Sequence, residues 1–227
     1  MTYTTLLFDI DDTLLDFKAA EHFAISSLLE EMAIDPTEET IATYSHINQG
    51  LWEQFEQGLI ARDRLLGKRF EDFFILHQLT VDGSDMDRRF RANLEKGHFL
   101  IEGSIALLDQ LKQSHKLYAV TNGVSKTQYH RLTDSGLLPY FKGVFVSEDT
   151  GYQKPMPEYF DYVFARIPDF KTEETLIIGD SLTSDIKGGL LAGIDSCWFN
   201  PQRKPYPASI QPTYEIVHLQ DLHAILA

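Results

Sequence analysis

Four groups of side chains in this 227-residue chain could do chemistry. Asp9-Ile10-Asp11-Asp12-Thr13 follows an apolar, β-prone run over residues 4–8, and Thr121-Asn122 follows a second over 116–120. Lys154 lies in the segment after a third run, 143–147. Gly179-Asp180-Ser181, with Asp185 close behind, follows a fourth, 175–178. Taken singly, each group has an ordinary reading. An Asp after a strand is usually a helix cap or a turn residue, and Thr-Asn-Gly and Gly-Asp-Ser are common turns. Taken together and in this order, they set several carboxylates, a hydroxyl and an ammonium at strand ends. If the strands are parallel, all converge on the carboxyl edge of one sheet, where ligands of open α/β sheets bind. Carboxylates gathered there repel one another unless a cation and chemistry compensate.

The elements that must hold these residues alternate. Two further strand-like runs, 196–199 and 214–217, follow the fourth, and helical stretches are expected over 104–113, 125–135, 157–166 and 183–192. Strand–helix alternation with near-continuous apolar strands predicts an α/β fold, a Rossmann-like parallel sheet covered on both faces. Residues 18–98 break the alternation and read as helix after helix. Ile41, Tyr44, Asn48, Leu51 and Phe55 recur at helical spacing, and Phe70, Phe73 and Phe74 look like core of the same region. Asp35-Pro36-Thr37-Glu38 offers an N-cap, a proline at the first helical position and an acid at the third, and Ser84 with Asp87 offers a second capped start. The expected organisation is a catalytic core of residues 1–17 and 99–227 with an inserted all-helical cap over 18–98. Residues 200–212, with four prolines, read as a loop.

Composition narrows the function. With 43% apolar residues the chain can bury a sizeable core. No apolar run approaches the ~18 residues of a membrane span. The net charge of −14 repels phosphate backbones and anionic lipids, so neither nucleic acid polymers nor membranes are expected partners. A small phosphorylated substrate is compatible, because a metal and one lysine can reverse the field locally. The first seven residues carry no basic side chain and do not read as a signal peptide, and the single Cys197 fits a reducing compartment, so a cytoplasmic location is expected. Cys197 in an apolar run reads as a small buried hydrophobe, and the eight histidines show no metal-ligand spacing.

The ordered motif set resembles the haloacid dehalogenase-like (HAD) superfamily in its phosphatase branch. Asp9-Ile10-Asp11-Asp12-Thr13 is similar to the DxDxT first motif, Thr121 to the second, Lys154 to the basic third, and Gly179-Asp180-Ser181 with Asp185 to the acidic fourth. The helical insertion sits where that family carries its C1-type cap. Within the family, Leu14-Leu15-Asp16-Phe17, Asn48-Gln49-Gly50-Leu51-Trp52, Gln57-Gly58-Leu59-Ile60, Val146-Ser147-Glu148 and Ser196-Cys197-Trp198-Phe199-Asn200 resemble bacterial house-cleaning nucleoside (pyrimidine) 5′-monophosphatases.

The resemblance implies a Mg²⁺-dependent phosphomonoester hydrolase working through an aspartyl-phosphate. Asp9 would be the nucleophile and Asp11 the general acid, then the base for the second step. Mg²⁺ would be held by the Asp9 carboxylate, the Asp11 backbone carbonyl and Asp180, with Asp185 a further or water-mediated ligand. Thr121 and the Asn122 backbone amide would hold phosphoryl oxygens, and Lys154 would pair with both Asp9 and the phosphate. Phe17, at the hinge, and Asn48 and Trp52, on one helix face, would contact the base; packing is the competing role for all three. The acid at position 11 favours phosphoryl transfer over dehalogenation, since halide departure needs no proton. A phosphatase for a sugar phosphate or phosphoglycolate, and a sugar phosphomutase, stay open beside the nucleotidase.

Overall fold

Runs of buried β-prone residues form the framework of the computed structural model, which describes residues 3–227. Met1 and Thr2, at the start of the expected core segment 1–17, lie outside the described residues. In chain order, β1 (Thr5–Phe8) is followed by four helices, α1 (Phe17–Glu31), α2 (Glu38–Glu56), α3 (Arg62–Phe74) and α4 (Gly83–Leu94). Then come α5 (Ser104–Leu111), β2 (Lys116–Thr121), α6 (Ser125–Asp134), β3 (Gly143–Val146), α7 (Ser147–Thr150) and α8 (Pro157–Phe164). The chain ends with β4 (Thr175–Gly179), a wide helical turn over Leu182–Ile186, α9 (Lys187–Ala192), β5 (Asp195–Phe199), β6 (Tyr214–Ile216) and α10 (Leu222–Leu226). Contacts divide it into two compact units. One runs up to Asp16 and resumes over Phe99–Ala227; the other is Phe17–His98.

In the first unit, the six strands make one parallel sheet in the order β3-β2-β1-β4-β5-β6. The α/β, Rossmann-like expectation is therefore what the chain adopts. Side chains alternate across the sheet with the two-residue strand period. Leu6, Phe8, Leu117, Ala119, Leu176 and Ile178 pack on one face with Leu107, Leu108 and Leu132. Leu7, Tyr118, Val120 and Ile177 pack on the other with Tyr159, Phe160 and Val163. With both faces covered, β1 is buried at every residue. Phe8 is in register with Ala119 on β2 and Ile178 on β4, so the residue after β1 sits beside the ends of both neighbours. The strand order reverses between β1 and β4, which makes that edge the topological switch point.

The second unit is all helix. Its core gathers Ala24, Leu28, Tyr44, Phe70, Phe73, Phe74 and Phe90, with Phe17 packed against them. Phe17 is the first residue of α1 and falls in this unit, one residue before the expected boundary. Two helix starts differ from the sequence expectation. The cap of α2 is Thr37, not Asp35: its hydroxyl accepts from Thr40 N at 3.2 Å, and Glu38 and Glu39 then occupy the first turn, where the helix dipole favours acids. The cap of α4 is Asp82, which accepts from the amides of Ser84 and Asp85, so Ser84 lies inside the helix and Asp87 turns inward. Among the described residues, no helix is long and apolar enough to cross a membrane.

Under the aromatic cluster runs a buried polar chain. Arg69 donates to Asn48 Oδ1 at 3.0 Å and to Asp87 at 2.5 Å, and Asn48 Nδ2 donates to Glu21 at 2.6 Å. Ser45 also donates to Glu21, Arg91 donates to Asp87, and the Arg69 guanidinium lies 4.8 and 4.9 Å from the Phe70 and Phe90 ring centres. Asn48 is buried with both ends of its amide engaged, which leaves its side chain committed to the helices rather than to a base. Replacing it by Leu would strip a partner from a buried carboxylate and a buried guanidinium. Asn48→Leu should cost about 2–3 kcal/mol of stability, the size of one or two bonds to charged groups. Thermal melts check this; an unchanged melt with a loss confined to nucleotide substrates would return Asn48 to substrate binding.

Candidate active site

The residue after β1, Asp9, is buried, and its amide donates to Ile178 O on β4. The chain then turns over Ile10, whose carbonyl accepts from Leu14 N and Leu15 N at 2.9 Å each. Asp12 takes a left-handed φ of 57° in this turn, which Asp tolerates better than most residues. Thr13, brought back by the turn, donates its hydroxyl to Asp9 Oδ2 at 3.2 Å.

The other Asp9 oxygen faces Lys154. The Lys154 ammonium donates to Asp9 Oδ1 at 2.6 Å, Asp185 Oδ1 at 2.7 Å and Val120 O at 2.9 Å. Its side chain is 1% exposed, so its charge must be met inside the protein. All three ammonium hydrogens are taken. In this arrangement Lys154 acts on an incoming anion through its charge, and a direct bond to it would mean sharing one of these three contacts. Its backbone is fixed by the Asn122 side chain, which donates Nδ2 to Lys154 O and accepts from Lys154 N, both at 2.9 Å.

Asp185 lies in the wide turn after β4. Its Oδ2 accepts from Ser181 N at 3.1 Å, and the whole residue is buried. A Cβ on Gly179 would come within 2.2 Å of that oxygen, so the Gly of Gly-Asp-Ser is needed for close approach. Asp9, Asp180 and Asp185 each offer an oxygen, and these lie within 4.8 Å of one another. Such an all-carboxylate set suits a hard divalent cation. The same cluster shows in the titration of Asp9: burial, with Asp185 nearby, pushes its carboxyl up to about 8 despite the opposing pull of Lys154. Trp198, on β5, steadies the neighbouring loop by donating its indole N–H to Asp180 O at 2.7 Å.

Thr121 ends β2. Its hydroxyl oxygen accepts from Gly123 N at 3.1 Å and from Gln128 Nε2 at 2.8 Å. With both lone pairs engaged, its proton is the capacity it has for an incoming acceptor. Asp11 is held from α6: Gln128 Nε2 donates to Oδ2 at 2.8 Å, and Arg131 pairs with Oδ1.

The structure thus brings Asp9, Asp11, Thr121, Asn122, Lys154, Asp180 and Asp185 to one sheet edge. Phe17, Asn48 and Trp52 belong to the helical unit, where Trp52 stands edge-on to Phe55. Sequence reasoning missed Gln128, Arg131 and Trp198. One signal was readable: Gln128 and Arg131 share the buried face of α6 with Thr127 and Leu132, a phase where core residues are expected. Cys197 is buried and its thiol is pushed up to about 12, so it offers no nucleophile.

Comparison with known proteins gives a consistent result. The family model described as a haloacid dehalogenase-like hydrolase matches residues 3–193. The HAD-hydrolase YfnB of Bacillus subtilis is 55% identical over 99% of this chain and 95% of its own. A crystal structure of YfnB bound to magnesium superposes with a TM-score of 0.96, covering 100% of this chain and 99% of that one. The pyrimidine 5′-nucleotidase PynA of Streptococcus pneumoniae is 41% identical over 98% of this chain and 94% of its own. The pyrimidine 5′-nucleotidase YjjG of Escherichia coli is 29% identical over 100% and 99%.

The acidic cluster should be visible in stability. An acid whose pKa rises from ~3.9 unfolded to about 8 folded favours the fold at low pH. That contribution is lost as pH climbs through the folded value. Lys154 is raised on folding, so its own contribution persists below the ordinary lysine range and does not mask this trend. In chelator, melting temperature should fall between roughly pH 5 and pH 8. Magnesium chloride should raise it, and by more at the upper end, because a cation favours ionised Asp9. Melts at both pH values, with EDTA and with magnesium, check this; an equal or absent gain at both would remove the cluster as a cation site.

Proposed function

The chain belongs to the haloacid dehalogenase-like hydrolase family, and on that premise we propose that it is a phosphomonoesterase, a 5′-nucleotidase favouring pyrimidine nucleoside 5′-monophosphates. The observation that carries the reaction class is Asp9, its two carboxylate oxygens held by Lys154 and Thr13, with a second acid, Asp11, at the mouth of the same turn. A nucleophile alone would serve dehalogenation; the added acid suits an ester whose leaving alkoxide needs a proton. The substrate class rests on the likeness to PynA and YjjG.

The residues divide the work as follows. An oxygen of Asp9 attacks phosphorus and the bond from phosphorus to the ester oxygen breaks, leaving an aspartyl-phosphate. Asp11, carrying a proton at this stage, gives it to the departing alkoxide. Ionised again, Asp11 takes a proton from water as the water oxygen attacks phosphorus; inorganic phosphate leaves and Asp9 is restored. Thr121 and the Asn122 amide donate to phosphoryl oxygens that gain charge in both transition states. Lys154 favours the ionised form of Asp9 against the effect of burial and aims its carboxylate. Mg²⁺ fits the carboxylates of Asp9, Asp180 and Asp185 with the Asp11 carbonyl, and when bound supplies positive charge against the phosphoryl oxygens. Phe17 and Trp52 stay candidates for stacking on a base, and the bonds of Asn48 to Glu21 and Arg69 favour packing as its role.

A phosphate-release panel tests the substrate class. With magnesium present, pyrimidine nucleoside 5′-monophosphates should give a higher kcat/KM than hexose phosphates and phosphoglycolate. A sugar phosphate ranked first would move the reading to that substrate, and formation of an isomer without phosphate release would make the enzyme a mutase. The nucleophile is tested separately. Asp9→Asn should fold, because Asp185 still faces Lys154, yet release no measurable phosphate, an amide being a poor nucleophile. Near-normal phosphate release from the folded variant would end the assignment of Asp9.

A further inference from the structure

Helix α6 presents to the sheet a buried face of Thr127, Gln128, Arg131 and Leu132. Arg131 is 0% exposed and Gln128 is 2% exposed. A guanidinium and an amide are costly in such a place, and apolar residues of similar volume would fill it at lower cost. Their contacts are directed to the site. One amide group, Gln128 Nε2, donates to Asp11 Oδ2 and to Thr121 Oγ1, both at 2.8 Å. Arg131 Nη1 pairs with Asp11 Oδ1 and donates to Gln128 Oε1 at 3.3 Å. Gly123 leaves room for this arrangement, since a Cβ there would stand 2.7 Å from the Gln128 side chain.

We propose that Gln128 and Arg131 are positioning residues that tie the acid/base carboxylate of Asp11 to the phosphoryl-binding hydroxyl of Thr121. Arg131 and Gln128 take one oxygen of Asp11 each, and so fix the plane of the carboxylate. Gln128 also fixes the polarity of Thr121. It donates into one lone pair, Gly123 N donates into the other, and the hydroxyl proton is turned toward the anion. A proton donor for the leaving group and a donor for the phosphoryl oxygens are thus set by one helix. The inference rests on the proposed roles of Asp11 and Thr121, and the two residues of α6 differ in a way that can be measured. Arg131 pairs with Asp11 and donates to Gln128, whereas Gln128 donates to both Asp11 and Thr121.

The test compares Arg131→Met, Gln128→Met and Asp11→Asn in the full-length enzyme with magnesium. Substrates are a nucleoside 5′-monophosphate, with a poor leaving group, and 4-nitrophenyl phosphate, with a good one; inorganic phosphate serves as inhibitor. Arg131→Met should lower kcat/KM for the nucleotide at least about tenfold, but first-turnover nitrophenolate release by no more than about threefold, because the lost alignment matters where a proton must be delivered. Its inhibition by phosphate should stay near wild type. Gln128→Met should weaken phosphate inhibition by about tenfold, the size of one hydrogen bond to a charged group, and raise KM for both esters. If both variants lower both esters by one common factor with phosphate inhibition unchanged, while Asp11→Asn discriminates between leaving groups, the positioning role is overturned and the reading of Asp11 stands. If Asp11→Asn fails to discriminate, the acid role falls and this inference with it. Should Arg131→Met not fold, Arg131→Lys, which keeps the charge but loses the fork, and the near-isosteric Gln128→Met decide on the same readouts.

Discussion

The buried ammonium of Lys154 is the constraint around which the core is arranged. A lysine removed from water needs counter-charge and three acceptors, and it finds them in Asp9, Asp185 and the Val120 carbonyl. Those partners follow or end three strands that are far apart in sequence and adjacent in the sheet. Each contact imposes a local demand. Asn122 must grip both sides of the Lys154 peptide, Gly179 must lack a side chain so that Asp185 can approach, and Ser181 must offer its amide to the far oxygen of Asp185. Strand ends supply the rigidity. Catalytic geometry of this kind needs positions fixed within a fraction of an ångström, and a parallel sheet buried on both faces provides that.

The helical unit is built on a second buried cation. Arg69, from α3, reaches Asn48 on α2 and Asp87 on α4, and Asn48 carries the connection on to Glu21 of α1. All four helices are therefore joined by one polar chain under an aromatic cluster. A satisfied network of this kind fixes one packing arrangement where an apolar interface would allow several. The aromatic rings are well matched to it, since the guanidinium sits over the faces of Phe70 and Phe90 while Tyr44 stacks on Phe70.

Much of this was legible in the sequence, for physical reasons that also set the limit. Strands and motif positions were readable because a buried parallel strand is a short apolar run and its end is marked by an abrupt polar residue, as at Phe8-Asp9 and Gly179-Asp180. The periodic face of α2 was readable too, and its five residues are the buried ones. What could not be read was which of several nearby side chains takes a given role. Thr37 rather than Asp35 caps α2, because capping depends on where the chain turns and not on residue type alone. Asn48 sits at a core phase of its helix, and only its spatial partners show that its amide is spent on Glu21 and Arg69. The α6 contacts to Asp11 join residues about 120 positions apart, a separation at which no periodicity speaks.

Charge carries the last step. The chain is strongly acidic, and its site is acidic as well: it gathers Asp9, Asp11, Asp180 and Asp185 with the cationic side chains of Lys154, which pairs with Asp9 and Asp185, and Arg131, which pairs with Asp11. Fully ionised, these four carboxylates outnumber these two cations and would repel a phosphate ester. Burial is the main cause of the raised Asp9 pKa, and the neighbouring Asp185 adds to it. A bound divalent cation offsets much of that charge, and Thr121, whose oxygen already accepts from Gly123 N and Gln128 Nε2, keeps its proton to donate. The Lys154 hydrogens are engaged by Asp9, Asp185 and the Val120 carbonyl, so its charge is its main offering. A cation bound at these carboxylates favours an incoming anion, which reconciles a strongly acidic chain with a small phosphorylated ligand.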